Sequence, residues 1–217
     1  MFVAERMTKH PVTMSSDATV GEVDRIMKKN KFHRMIIVDE GKLVGYLSDR
    51  DVMRVAPSPA TSLSKYEIRS LLDKLKVKDI MQKKVVTVSE DATIEEAALI
   101  MYNNKVGGLP VISEVGNVVG IITATDILKT FVNVMGLPQG GKTRLTLKVD
   151  NKVGVMAEIT KIFADNGINI DSMITCRHDD ESYEIVVRID EHTEILEKIK
   201  SQLENCGHKI IHTVQIG

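Results

Sequence analysis

Tryptophan is absent from the 217 residues, and aromatic side chains make up only 4% of them. A surface for single-stranded nucleic acid needs aromatic faces on which bases stack, so that class of function is set aside. Two cysteines, Cys176 and Cys206, are too few for a disulfide framework or a four-ligand structural zinc site, and a reducing cytoplasm is the expected home. Long apolar runs are missing as well. Met35-Ile36-Ile37-Val38 is typical, far short of the roughly 20 residues that cross a bilayer. The opening Met1-Phe2-Val3-Ala4-Glu5-Arg6 lacks the basic stretch and apolar core of a secretory signal. A formal charge of −1 leaves no cationic excess to hold DNA by charge alone. Neither a nucleic-acid partner nor a membrane partner is expected.

What is present is the mix of a folded chain, 43% hydrophobic and 27% charged, long enough for one large domain or two to three small ones. The near-zero charge hides an asymmetry. Residues 145–217 carry 8 Lys/Arg against 13 Asp/Glu, and residues 1–144 carry 21 against 17. An anionic ligand is therefore expected in the first part.

An internal repeat organises that first part. Met7-Thr8-Lys9-His10-Pro11-Val12-Thr13-Met14-Ser15-Ser16-Asp17-Ala18-Thr19-Val20 returns as Met81-Gln82-Lys83-Lys84-Val85-Val86-Thr87-Val88-Ser89-Glu90-Asp91-Ala92-Thr93-Ile94. With one inserted residue the match runs on to Asp51 and Asp126. Thr19 with Glu22 and Thr93 with Glu96 are capping boxes. Val20, Val23, Ile26 and Met27, and likewise Ile94, Ala97, Ile100 and Met101, recur at helical spacing. Buried strands are expected at Met35–Val38 and Leu109–Ile112, turns at Glu40-Gly41-Lys42 and Val115-Gly116-Asn117, and second strands at 43–47 and 118–122. A last helix begins near Asp49 or Thr125. Such a unit is too small to bury a good core alone, so the two copies should pack on each other.

Ala56-Pro57-Ser58-Pro59-Ala60 reads as a stiff linker. A helix follows, capped by Ser64 and Glu67, with Leu71, Leu72 and Leu75 as its apolar positions. Beyond Gly136-Leu137-Pro138-Gln139-Gly140-Gly141 the pattern is strand, helix, strand, strand, helix, strand. Helix faces are marked by Val155, Ile159, Ile162 and Phe163 and by Ile195, Leu196, Ile199 and Leu203, stopped at Gly167 and Gly207. The two central strands, 168–176 and 183–189, form a hairpin around Asp179-Asp180-Glu181. Both helices would cover one sheet face in a ferredoxin-like arrangement.

Residues 136–143 fit the P-loop pattern letter for letter. A P-loop follows a strand and opens a helix whose N-terminal amides cradle phosphate. Here a helix precedes and a strand follows, so the context is reversed and the segment is read as a linker. Histidines stand in no metal spacing, Cys176 near His178 reads as incidental, and the 11 methionines read as core. No catalytic residue and no metal site is assigned.

The Met-x3-Pro/Val-Val-Thr opening, the strands Met35–Asp39 and Gly108–Ile112, and the tails Gly45-Tyr46-Leu47-Ser48-Asp49-Arg50-Asp51 and Gly120-Ile121-Ile122-Thr123-Ala124-Thr125-Asp126 resemble the CBS domain. Two in tandem resemble a Bateman module. The resemblance implies clefts between paired repeats that bind adenosine nucleotides or S-adenosylmethionine. Ser48 with Asp51, and Thr123 with Asp126, would hold the ribose, since a carboxylate accepts both vicinal hydroxyls. The same pairs are also capping-box-like for the helices they begin, and both roles can coexist. His33-Arg34 is similar to the dipeptide that contacts phosphates in the nucleotide-sensing gamma subunits of AMP-activated kinases. Gly107-Gly108 replaces it in the second copy, which points to two inequivalent pockets. By the same resemblance Thr13, Ile36, Thr87, Gly108 and Pro110 belong to the nucleotide site, and Arg50 and its counterpart Thr125 are further candidates.

Leu147-Lys148-Val149-Asp150-Asn151-Lys152-Val153-Gly154-Val155-Met156 and Phe163-Ala164-Asp165-Asn166-Gly167-Ile168-Asn169-Ile170 resemble an ACT domain, which often binds amino acids. Asn151, Gly154 and Asn169 are the candidates for that ligand. CBS repeats followed by one ACT module resemble the B-type acetoin-utilisation proteins. The expected fold is α+β, with two CBS repeats packed as a pair and a ferredoxin-like βαββαβ module behind them. The expected division is 1–60, a connecting helix at 61–76, 77–134, a linker at 135–143, and 144–217. The expected function is regulatory: a cytoplasmic homodimer that binds an adenine nucleotide, carries no catalytic cofactor and reports to an unidentified protein. A dimerisation module without ligand and an enzyme subunit of acetoin utilisation are the alternatives.

Overall fold

The computed structural model describes residues 1–58, 61–136, 141–177, 182–190 and 193–216. It divides into two units, Met1–Ile127 and Leu128–Gly217. The first unit opens with α1 (Val3–Arg6), β1 (Thr8–Lys9) and β2 (Thr13–Met14), then α2 (Val20–Asn30), β3 (Arg34–Asp39), β4 (Lys42–Ser48) and α3 (Asp49–Val55). After α4 (Lys65–Leu72) the series returns as α5 (Val77–Ile80), β5 (Val88–Ser89), α6 (Ile94–Asn104), β6 (Gly108–Ile112) and β7 (Val118–Thr123), and α7 (Ala124–Val134) leads into the second unit.

Local chemistry sets these boundaries. Thr19 Oγ1 accepts from Glu22 N at 3.2 Å while Glu22 Oε2 accepts from Thr19 N at 2.8 Å, the reciprocal box that starts α2. Thr93 with Glu96 and Ser64 with Glu67 repeat it at α6 and α4. The helix at 65–72 ends before Leu75, which packs in a loop against the same core. Each repeat also carries a short strand that pattern reading missed: β2 pairs parallel with β3, and β5 parallel with β6.

The repeats do not close on themselves. The opening of each docks on the other. Val3 N donates to Ala92 O at 2.8 Å, and β1 adds to β7 by pairing Thr8 with Ile121. Reciprocally, Val77 N donates to Ala18 O at 3.0 Å, and Tyr46 and Gln82 exchange both backbone bonds. Val3, fully buried, packs with Val88, Ile94, Leu109, Val111 and Ile122; Val77, also fully buried, packs with Val20, Val23, Met35, Ile37 and Leu47. Core membership therefore crosses a sequential division at residues 61 and 77. Residues 1–9 complete the second repeat and residues 75–82 the first.

The second unit contains β8 (Lys142–Asp150), α8 (Val155–Asp165), β9 (Ser172–Arg177), β10 (Ser182–Asp190), α9 (Thr193–Asn205) and β11 (Lys209–Ile216). Its antiparallel sheet runs β11-β8-β10-β9, the ferredoxin-like order. Leu145, Leu147, Val149, Ile185, Val187 and Ile189 form the buried sheet face under Ile159, Phe163, Ile199 and Leu203 of the helices. β9 begins at Ser172 rather than 168. The hairpin tip Asp179-Asp180-Glu181, His178, and the linker positions Pro59, Ala60 and 137–140 lie outside the described residues. Lys142 and Thr143 open a strand, which removes the P-loop, and Lys142 is ion-paired with Asp171 at 2.9 Å and with Asp190. The methionines are not all core, since Met53 on α3 is 70% exposed.

The exchanged openings carry a stability prediction. Val3→Ala removes two buried carbons and should cost about 2 kcal/mol. Val12→Ala, at a position 48% exposed, should cost less than about 0.5 kcal/mol. Urea unfolding of the two variants measures the difference; equal effects would mean that the N-terminal segment is not part of the core.

Candidate functional site

Ser48 ends β4 and is the N-cap of α3. Its N–H and hydroxyl both donate to Oδ2 of Asp51, at 2.9 and 2.5 Å, and its Oγ accepts from Asp51 N at 3.3 Å. The cap reading is thus realised. Thr123 and Asp126 do the same at α7, with Thr123 N and Oγ1 donating to Asp126 Oδ2 at 2.8 and 2.7 Å.

All of the Ser48 bonds fall on one oxygen of Asp51. The Gln82 amide straddles the carboxylate, its Nε2 3.2 Å from Oδ2 and 3.3 Å from Oδ1, and Arg54 lies 3.7 Å from Oδ1. Asp51 is 7% exposed. Burial works to raise its pKa, but the bonds from Ser48 and Gln82 and the charge of Arg54 outweigh it and hold the carboxyl below its ordinary value. A buried anion is thereby kept with one oxygen weakly engaged.

Asp51 lines a crevice of about 750 Å³ between the repeats, a size suited to a small molecule. Of the sequence candidates, His33, Arg34, Ser48, Arg50, Asp51, Gly108 and Pro110 line it. Thr13, Ile36, Thr87, Thr123, Thr125 and Asp126 do not. Thr13 pairs with Ile36 across β2 and β3, and Ile36 is 1% exposed. Pattern reading missed Tyr46, Arg54, Gln82, Lys84 and Lys105, which also line the crevice. Lys84 occupies the place of His10 in the repeated opening, and Tyr46 that of Ile121; for Tyr46 a polar group replacing an apolar repeat-mate was the available signal. Lys105 takes a left-handed conformation, φ 54°, at the C-cap of α6.

The two dipeptides that break the repeat meet each other. An added Cβ on Gly107 would collide with the Arg34 guanidinium, and one on Gly108 would lie 3.4 Å from both Arg34 Cδ and the Tyr46 hydroxyl. The glycines of the second repeat are the seat of the arginine of the first. His33 Nδ1 is 2.8 Å from Asp49 Oδ2, which partners one of the two carboxylates in the lining. Arg34, Arg50, Arg54, Lys84 and Lys105 leave the crevice net cationic.

In the second unit a smaller cleft, about 280 Å³, is lined by Asp150, Lys152, Gly154, Glu158, Cys206 and His208. Gly154 takes φ 94° at the N-cap of α8, a conformation that disfavours any side chain. Asn151 and Asn169 are exposed and are not in this lining. His208 is buried, and its Nε2 lies 3.4 Å from Glu158. Burial, together with the hydrogen bond and charge of Glu158, raises the Cys206 thiol pKa and keeps it protonated. Among the described residues no three His, Cys, Asp or Glu side chains gather to hold a metal ion, and no helix is long and apolar enough to cross a membrane.

A pair of interlocked repeats with a crevice between them, followed by a ferredoxin-like module, defines a class of small-molecule-binding architecture. Residues 3–58 and 77–133 match the CBS domain and residues 143–208 the ACT domain; the chain belongs to the CBS domain family and carries a C-terminal ACT domain. It is 39% identical over 127 residues to inosine-5′-monophosphate dehydrogenase of Methanocaldococcus jannaschii, a stretch that is 58% of this chain and 22% of that enzyme. Among solved structures, it is similar to a CBS domain pair in complex with 5′-methylthioadenosine and S-adenosyl-L-methionine, with 29% identity and TM-score 0.50 over 61% of this chain and 97% of the other. It is also similar to AcuB of Vibrio cholerae, assigned to acetoin utilization, with 28% identity and TM-score 0.53 over 64% and 96% of the two chains.

Tyr46 gives the crevice a spectroscopic handle. Burial, opposed by the nearby Arg34, pushes its pKa up to about 12. Of the four tyrosines, one should titrate near 12 by ultraviolet difference absorbance, and Tyr46→Phe should remove that step. Between pH 10 and about 12 the unfolded chain releases this proton while the folded chain keeps it, so stability should fall with rising pH in that window. Absence of a tyrosine step near 12 would contradict the buried placement.

Proposed function

We propose that this protein is a regulatory sensor of adenine nucleotides, and that the crevice between its CBS repeats is the sensing site. The observation that carries the reading is the state of Asp51, a residue of the crevice lining: Ser48 bonds to its Oδ2 at the start of α3, and its Oδ1 is held only by contacts of 3.3 Å and longer. A ribose diol is a better donor to that oxygen than the Gln82 amide, and a charge-assisted bond is among the stronger ones available. Arg34, Arg54, Lys84 and Lys105 offer their charge to the phosphates, with His33 and Arg50 beside them. Gly108 and Pro110 give the base a flat, apolar wall. Adenosine-type ligands in a CBS pair 29% identical to this one support the choice.

The reading extends to a second site, at which Thr123, Thr125 and Asp126, with Thr13, Ile36 and Thr87, would repeat the diol chemistry. In the ACT module the Gly154 cleft is the place for an amino acid, its ammonium toward Asp150 and Glu158 and its carboxylate toward Lys152; Asn151 and Asn169 flank it. The protein acts in the cytoplasm as a homodimer and is not itself an enzyme. The ligand changes the state read by a partner protein only to the extent that it binds one arrangement better than the other.

Calorimetry with AMP, ADP, ATP, NAD and S-adenosylmethionine tests the reading. Asp51→Asn should weaken nucleotide binding roughly tenfold or more. Its stability should change by no more than the cost of a cap, about 1 kcal/mol. Unchanged affinity with lowered stability would reduce Asp51 to a cap, and no binding of any adenosine compound would favour a purely structural module. Turnover of a nucleotide or acyl substrate by the purified chain would overturn the non-enzymatic reading.

A further inference from the structure

The ACT sheet has a second face, opposite its helices, and its register pairs charges row by row. Lys142 lies opposite Asp190, and Lys148 opposite Glu184. Both rows join opposite signs, as cross-strand neighbours favour. Between them Arg144 lies opposite Arg188, and two like charges directly across a ladder repel.

The Arg188 environment is deficient in acceptors. The residue is 9% exposed; one terminal nitrogen donates to Ser172 Oγ at 3.3 Å, and its Nε is buried with no partner. Two residues along from Arg144, Thr146 is 2% exposed and its hydroxyl is likewise buried with no partner. Burial and the charge of Arg144 both disfavour the charged form of Arg188, although a guanidinium keeps its proton in proteins. A buried, unpaired donor costs free energy until an acceptor arrives. Two guanidinium groups at paired ladder positions, with a hydroxyl two residues along one strand, are donors of the kind that oxyanions engage in bidentate fashion.

We propose that Arg144, Arg188 and Thr146 form a binding site for a small oxyanion, a phosphate or a carboxylate group, on the face of the ACT sheet opposite α8 and α9. Arg144, only partly buried, is the side chain through which the anion enters. The site is separate from the Gly154 cleft, whose lining shares none of these residues, and it does not depend on nucleotide binding by the CBS pair. An anion bound there converts a repulsive row into a bridged one and so stiffens the sheet.

The test uses the full chain in chloride at fixed ionic strength, titrated with inorganic phosphate and, separately, with succinate. The readouts are the melting temperature and the Arg188 Nε–H resonance, assigned through Arg188→Lys. Expected are a saturable shift of that resonance and a saturable rise in melting temperature. Arg144→Gln should weaken both at least about tenfold without lowering the melting temperature in chloride, because it removes a repulsion. Stronger response to phosphate would assign the site to a phosphoryl group, and to succinate a carboxylate. A stationary Arg188 resonance with both probes overturns the proposal. So does an Arg144→Gln chain that is less stable in chloride yet responds to anions as before, which would make the arginine structural.

Discussion

Reciprocal docking of two opening segments is the constraint on which the first unit depends. Neither repeat completes its core without a valine from the other copy's lead-in, Val3 in one and Val77 in the other. Because the exchanged strands pair at Thr8–Ile121 and Tyr46–Gln82, the two sheets are tied at fixed register and the space between them is preserved as a crevice. A unit this small gains most of its burial from that interlock. The crevice is a consequence of how the fold is held together.

Asp51 joins the fold to the site. Its hydrogen bonds to Ser48 satisfy the first turn of α3 and orient the carboxylate, and the second oxygen takes no bond from Ser48. Structural and ligand-binding roles are compatible here because a carboxylate has two oxygens and the cap uses one. The break in the repeat is equally physical. Arg34 needs space, and Gly107-Gly108 supplies it, so the glycines that break the repeat serve the cationic crevice lined by Arg34.

Much of this was legible from sequence. Thr19/Glu22, Thr93/Glu96 and Ser64/Glu67 predicted where helices start because capping is a local interaction between residues three apart. The reversed context of residues 136–143 removed the P-loop because a strand and a helix differ in periodicity. Ser48 and Asp51 could be named because the tails that carry them resemble the CBS domain, and Arg34 because His33-Arg34 is similar to a phosphate-contacting dipeptide. Tyr46, Arg54, Gln82, Lys84 and Lys105 could not, since they meet only when one repeat's lead-in is laid against the other's sheet. His208 and Glu158 escaped for the same reason, being 50 residues apart in the chain and 3.4 Å apart at their nearest polar atoms. Long-range pairing leaves no local period to read.

A crystal structure of the full chain grown with ADP would test the account most directly. The ribose diol should lie on Oδ1 of Asp51 in place of Gln82, with the phosphates between Arg34 and Lys84 and Ser48 still bonded to Oδ2. A nucleotide bound elsewhere, or an Asp51 still held by Gln82 beside an empty crevice, would contradict it.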